Sequence, residues 1–454
     1  MNHFFLYTLG IYLLIFIIIS LFDALHVKTF TDYAVAGRSQ NTFSVCMTLL
    51  ATVIGASTTI GIADTVYEIG FPGIWWLVFG AIGLVLQSLL ISKPVRTTEA
   101  DTLPDLARIL VGRPAELIIS LIIVISWIGV VAGQLVAMNS LITFALGRSD
   151  KKLFIIVSLI VILYTLIGGQ LSVVKTDKLQ FIVIALGIII CAVYLYFVKG
   201  APDDISNNIE LLNSNYRLPN LLTQFFVIGG VYFLGPDIIS RNFMSRNENT
   251  AKRSALFAGI GLFVFSIIIT LIGMWVRYSV SPEVLGDNKA LMYVIGILPK
   301  YVALPMIFAL LSAILSSTDT CIINASSIFV KDILKKDSVK YIRITVAVIG
   351  IIATILAASG RGDIMSLLSG AYSIYTPGVI FPLLIAILAH KKRSINVPVW
   401  VAAVITGGLF GIAGTYFTDL LGKLGVPVGL LSYLTLIGMG ISLLISLFSI
   451  KKQA

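Results

Sequence analysis

Between short clusters of charge, this sequence returns repeatedly to apolar stretches of roughly 17–25 residues, the length a helix needs to cross about 30 Å of hydrocarbon. The stretches lack the alternation of membrane strands, which leaves helices. Thirteen spans are predicted, at about 4–22, 43–66, 73–92, 115–147, 153–168, 172–198, 220–240, 254–276, 301–330, 343–360, 365–389, 396–418 and 428–450. Charged residues are 12% of the chain against 58% hydrophobic. Soluble domains carry about 25% charged residues, so a water-soluble fold is excluded.

The net charge of +10 reads as topology rather than as affinity for a polyanion. With the N-terminus outside, 22 of the 32 Lys and Arg residues fall on the inner side, among them Arg241, Arg246, Lys252, Arg253, Lys331, Lys335, Lys336, Lys340 and Arg343. That bias is the positive-inside rule. It predicts a multi-pass protein of the cell membrane with a cytoplasmic C-terminus, the lipid bilayer as its surroundings and no nucleic-acid partner. The first span is not a cleavable signal: nothing basic precedes it, and Asp23, His26 and Lys28 follow it. Cys46, Cys191 and Cys321 lie in apolar spans without disulfide or metal spacing. The longest polar connection runs from Lys199 to Asn220, too short for a nucleotide-binding motor, and no phosphate-loop motif occurs. No obligate protein partner is evident.

Two spans carry signs of a break. The second contains Ile54-Gly55-Ala56-Ser57-Thr58-Thr59-Ile60-Gly61, and the seventh contains Ile228-Gly229-Gly230-Val231. Paired broken helices in corresponding positions mark the two halves of an inverted-repeat transporter. Glycine in membrane helices also serves close packing, so the matched positions carry the argument. The expected organisation is 1–42 as an extra helix and inner loop, 43–198 and 199–389 as the two repeats, and 390–454 as two further helices.

The ninth span presents Ser316-Ser317-Thr318-Asp319-Thr320, four hydroxyls and an acid in five residues. Ser316, Asp319 and Thr320 share one face by their i, i+3, i+4 spacing. Such oxygens suit a hard cation such as Na+, and in lipid they must come from hydroxyls or unwound backbone. Asp177 closes the connection between the fifth and sixth spans, flanked by Lys175 and Lys178. It is either a surface ion pair or, if it faces the bundle, an acid that costs roughly 2.5–3.5 kcal/mol at the midplane and therefore holds a cation or proton.

These segments resemble the sodium:solute symporter family. Ala36-Gly37-Arg38 is similar to that family's approach to its first broken helix. Tyr164-Thr165 through Gly168-Gly169, with Thr176-Asp177 and Gln180, is similar to its most specific signature. Ser316 through Asp332 resembles its ninth span, and Thr376-Pro377-Gly378 its eleventh. The resemblance implies an all-α integral membrane fold of about thirteen helices, with a five-plus-five inverted repeat and two broken helices. It further implies a Na+ site between the second and ninth spans, formed by the carbonyls of Ala51, Ile54 and Ala313 and the hydroxyls of Ser316 and Ser317. Asp177, Asp319 and Thr320 would form a second site, for a cation or a proton.

The solute would lie near Ser57, Thr58, Trp127, Gln134, Tyr232 and Ser369. Val231 stands where sugar-transporting relatives place an aromatic gate, so sugars are disfavoured. No Arg or Lys is expected in the central segments, and a small zwitterion or monocarboxylate is the expected solute, an amino acid ahead. The activity predicted is sodium-coupled symport. A proton-coupled or uncoupled carrier on the same fold is the alternative; a membrane sensory module is disfavoured because the chain closes on Lys451-Lys452-Gln453-Ala454. No residue cluster suggests an enzyme.

Overall fold

The computed structural model describes residues 2–205, 207–286, 288–360, 362–391 and 393–451. Arg361, Lys392 and Lys452, counted above among the basic residues, lie outside these, as does the end of the chain at 452–454. Among the described residues the protein is helical, apart from a two-residue antiparallel pairing of Ser394–Ile395 with Ile450–Lys451.

Helices cover each of the thirteen predicted segments, and among the described residues ten helices, or eleven with the bent pair, are long and apolar enough to cross a membrane. The first is Asn2–Ala24, and the second combines Thr42–Val53 with Ser57–Ile69 across a 61° bend. The third is Phe71–Leu90 and the fourth Arg113–Leu146. The fifth and sixth run together from Lys151 to Tyr194, turned at Gly169. The seventh is Leu218–Leu234 plus Pro236–Met244, the eighth Glu248–Ser279 and the ninth Lys300–Ile328. Val339–Ala358, Ile364–Ala389, Val397–Tyr416 and the shorter Leu434–Phe448 complete the set. Helix starts follow local chemistry. The side chains of Asn41, Asp150, Asn247 and Asp363 each accept a hydrogen bond from a first-turn amide, and Pro114, Pro219 and Pro236 sit where a missing N–H costs nothing.

The ninth span is the hub: 94% of its most apolar stretch is buried inside the protein, against 28% for the first span. Outward-facing Ile15, Leu121, Ile156, Ile267 and Ile355 remain exposed, as side chains on a lipid-facing rim must.

One expectation is corrected. The seventh span does not break at Ile228–Val231, because Gly229 and Gly230 lie inside an unbroken helix. They serve packing: a Cβ on Gly230 would sit 2.7 Å from Thr376 Cγ2, and a Cβ on Gly83 of the third span would sit 2.4 Å from the Gly229 carbonyl. The break falls at Gly235-Pro236. Proline removes a donor and pushes its predecessor out of the helical region, and Gly235 is extended at φ −66°, ψ 146°. The freed Leu234 carbonyl accepts a hydrogen bond from Tyr375.

The signature glycines have a related explanation. Gly169 adopts φ 60°, and a Cβ there would meet the Tyr33 ring at 2.7 Å. Tyr33 in turn donates to the carbonyls of Thr165 and Leu166. Ala36, Gly37 and Arg38 are consecutive left-handed residues, which aims the Arg38 guanidinium at Asp101 and the Glu99 carbonyl.

Several basic residues at the span ends are also bound into ion pairs. Asp101 holds Arg38 and Lys331; Glu116 holds Arg108, Arg113 and Lys335. Burial would raise the Asp105 carboxyl, but Lys331 and its hydrogen bond from Arg108 hold it below the usual carboxylate range.

Candidate functional site

The centre of the protein is built where the second span comes apart against the ninth. Val53 ends one half-helix, and Ile54 leaves the helical region at φ −92°, ψ 81°. Side chains hold the unwound segment in place: the Gly55 amide donates to Thr58 Oγ1 at 2.8 Å, and the Ala56 amide to Gln134 Oε1 at 3.0 Å. The Thr58 hydroxyl turns back on Val53 and Gly55. Thr58, expected at the solute, therefore holds the break.

Facing this segment, Ser316 Oγ lies 2.8 Å from the Ala51 carbonyl and 3.1 Å from that of Ala313. Ser317 Oγ lies 2.8 Å from the Thr52 carbonyl and 3.1 Å from that of Ala313. Four of the five residues expected at the Na+ site are thus brought together, with Thr52 as an addition. Ile54 supplies the bend itself. The donor set is oxygen only, at a helix break where carbonyls are released from the helix, which suits a dehydrated Na+.

The second expected site is divided differently. Asp177 is fully buried; the sixth span has already begun when the chain reaches it, and Lys175 pairs with Asp23 instead. Its partners are the Thr48 hydroxyl and Arg241 Nη2, the latter at 3.3 Å. The same nitrogen donates to Thr52 at 2.5 Å, Thr48 at 3.1 Å and Thr320 at 2.7 Å. Asp319 shares none of these bonds: it accepts from Tyr164 at 2.7 Å and Thr165 at 3.1 Å.

Arg241 corrects the sequence reading. It was assigned to the inner loop, yet it is 1% exposed and stands at the heart of the bundle. The misplaced break is the cause. Read from Gly235-Pro236, residues 236–244 become a half-helix projecting inward, and Arg241 comes with it.

Beside the sodium-type cluster lies a narrow pocket with room for little more than one water molecule. Ser57, Gln134, Tyr232 and Ser317 line it, as do Val231, Asp237, Cys321 and Tyr372. Trp127 is wholly buried rather than lipid-facing, and packs edge-on against Tyr375 at 5.2 Å. Ser369 lies apart, in a polar vestibule with Arg217, Asn220, Gln224 and Ser373. Asp237 is the charged lining residue that the sequence reading missed, for the same reason as Arg241.

A profile of the sodium:solute symporter family matches residues 33–395. The chain is 26% identical over 323 residues to the sodium/pantothenate symporter of Haemophilus influenzae, covering 67% of this chain and 66% of that protein, just under two thirds of its length. It is 26% identical to the high-affinity choline transporter 1 of Torpedo marmorata, covering 84% and 70%, and 24% identical to the high-affinity proline transporter PutP of Bacillus subtilis, covering 79% and 81%. The fold matches that of a Na+-coupled sialic acid symporter in a substrate-bound outward-open state, with a TM-score of 0.79 at 18% identity over 97% of this chain and 98% of that one. With the broken helices, the signature segments and the profile in agreement, the chain belongs to the sodium:solute symporter family.

Proposed function

We propose that this protein is a sodium-coupled secondary active symporter for a small organic solute, an amino acid or monocarboxylate rather than a sugar. The observation that carries the reading is the cluster of Ser316, Ser317 and the Ala51, Thr52 and Ala313 carbonyls at the break of the second span. Relatives named for pantothenate, choline and proline transport support the class of activity. The breaks at Gly55 and Gly235 support reading 43–198 and 199–389 as the two repeats. Val231, which lines the cavity where an aromatic gate would favour a sugar, supports the choice of solute.

Direct binding of 22Na+ tests the proposal. Ser316→Ala and Ser317→Ala each remove an oxygen worth about 1 kcal/mol as a hydrogen-bonding group. Together they should lower 22Na+ affinity roughly tenfold or more, since 1.4 kcal/mol is a factor of ten. Wild-type affinity in the double variant would refute the site.

At Asp177, the Arg241 guanidinium supplies the positive charge that a second cation would bring. Asp319 keeps an oxygen without a partner and is the candidate for a proton. Uptake in sodium-free buffer separates proton coupling from the sodium reading.

The orientation belongs to the same proposal: N-terminus outside, C-terminus cytoplasmic, in the cell membrane. Cysteines introduced at Asn2 and Gln453 of intact cells should label from opposite faces. Labelling from one face would mean an even number of spans.

A further inference from the structure

We infer that Asp237 is the recognition group for a cationic nitrogen on the solute, so that the transported molecule is a zwitterion or a cation rather than a plain carboxylate. The inference rests on the symport reading above and adds to it the chemical class of the solute.

Asp237 is the second residue of the half-helix Pro236–Met244 and lines the central cavity with Tyr232, Tyr372 and Gln134. Its Oδ1 is buried and has no hydrogen-bond partner. The backbone makes room for it: a Cβ on Gly235 would stand 3.2 Å from that oxygen. An ionised carboxylate in a membrane protein's interior requires a counter-charge. Arg241, one turn on, lends part of its charge and the first amides of the half-helix hold the carboxylate, but neither reaches Oδ1. Its Nη1 reaches the Asp237 backbone carbonyl at 3.3 Å, while its ion pair is with Asp177. Among the described residues no Lys or Arg nitrogen lies within ion-pairing distance of the Asp237 carboxylate.

The position also decides against a bare acid as solute. A half-helix N-terminus in such transporters usually faces a substrate anion, because its amides and dipole favour negative charge. Here the chain's own carboxylate occupies that end, which makes this wall of the cavity repel an anion and attract a cation. The Tyr232 and Tyr372 rings beside it add aromatic faces, on which a cationic nitrogen is stabilised further. Ser57 and Gln134, which line the same pocket, are left for the polar remainder of the solute.

The test uses the purified full chain in NaCl, equilibrated with an equimolar mixture of six probes. L-proline, glycine betaine and choline carry a cationic nitrogen; pantothenate, lactate and glucose do not. Protein-bound compounds are separated by rapid gel filtration and measured by mass spectrometry. The retained compounds should be cationic at nitrogen, and Asp237→Asn should lower their retention at least tenfold while the 22Na+ affinity stays within twofold. Retention of only pantothenate, lactate or glucose by the wild type would overturn the inference, as would undiminished retention by Asp237→Asn. The wild-type profile needs no variant, so a variant that fails to fold does not shelter the inference. Replacing NaCl by KCl separates the two readings: retention unchanged without Na+ refutes sodium coupling and leaves the preference for a cationic nitrogen standing.

Discussion

Replacing Arg241 by methionine should destabilise the protein by about 3–5 kcal/mol, the loss expected when one partner of a buried ion pair is removed. The guanidinium serves several acceptors at once. Nη2 alone reaches Asp177, Thr48, Thr52 and Thr320, which lie on the second, sixth and ninth spans, while Nη1 reaches Ser240. Removing it leaves Asp177 buried with only the Thr48 hydroxyl, and Asp177 Oδ1 already has no partner. Lysine should rescue poorly, because a point charge cannot reproduce the planar fork. The decisive comparison is a double-mutant cycle. If Arg241 acts as the counter-charge of Asp177, then Arg241→Met combined with Asp177→Asn should regain more than half of the loss, as groups in one network fail to add. Thermal unfolding in detergent, followed by intrinsic fluorescence, measures all four proteins. Strict additivity would show that Arg241 stabilises the fold through its threonine contacts and not through Asp177.

Much of the fold was legible because membrane insertion leaves a strong mark on sequence. Every predicted segment carries its own apolar run, and each of the thirteen is helical. The connection between the fifth and sixth was placed by the gap between two apolar runs, and the helix assignment runs through it with only Gly169 out of line. The seventh span shows where the reading failed. Two adjacent glycines drew attention away from Gly235-Pro236, five residues further on. Glycine at a helix crossing and glycine at a helix break look alike in one dimension. Proline, which removes an amide, was the stronger mark and should have been weighed first.

That single displacement explains both charged residues missed at the centre, Arg241 and Asp237. Counting charge by side placed Arg241 in the inner loop, a rule that works on average and fails for a cation held within the bundle. The hydroxyl pair Ser316 and Ser317 was found because four hydroxyls in five residues are dense enough to stand out. Thr48 and Thr52 were not found, being isolated hydroxyls whose role appears only when Arg241 reaches across to them. Whether Asp177 faced water or protein depended on where the sixth helix begins, which periodicity does not fix to within a turn.

Gly55→Ala should abolish high-affinity 22Na+ binding, and the reason is steric rather than conformational. A Cβ at this position would stand 2.4 Å from Ser317 Oγ, 3.2 Å from Ser317 Cβ and 3.1 Å from Gln134 Nε2. Neither side can retreat cheaply. Gly55 is held through its amide by Thr58 and through its carbonyl by Thr59, while Ser317 is tied to the Thr52 and Ala313 carbonyls. The methyl group must therefore swing the hydroxyl away or part the second span from the ninth, and either opens the oxygen cluster. Overpacking of this kind typically costs 1–3 kcal/mol, and with the loss of a ligand the affinity should fall well beyond tenfold. Gly10→Ala, where a Cβ meets nothing within 4 Å, should be silent and controls for alanine in a span. The double variant Gly55→Ala/Ser317→Ala separates packing from ligation. It exchanges the 2.4 Å clash for contacts of 3.1 Å to Gln134 Nε2 and 3.2 Å to the Cβ at 317, so stability should return towards the wild type. The Na+ affinity should recover only to that of Ser317→Ala alone, since the missing oxygen is not replaced. Recovery of full Na+ affinity in the double variant would show that Ser317 packs against the break without binding the ion.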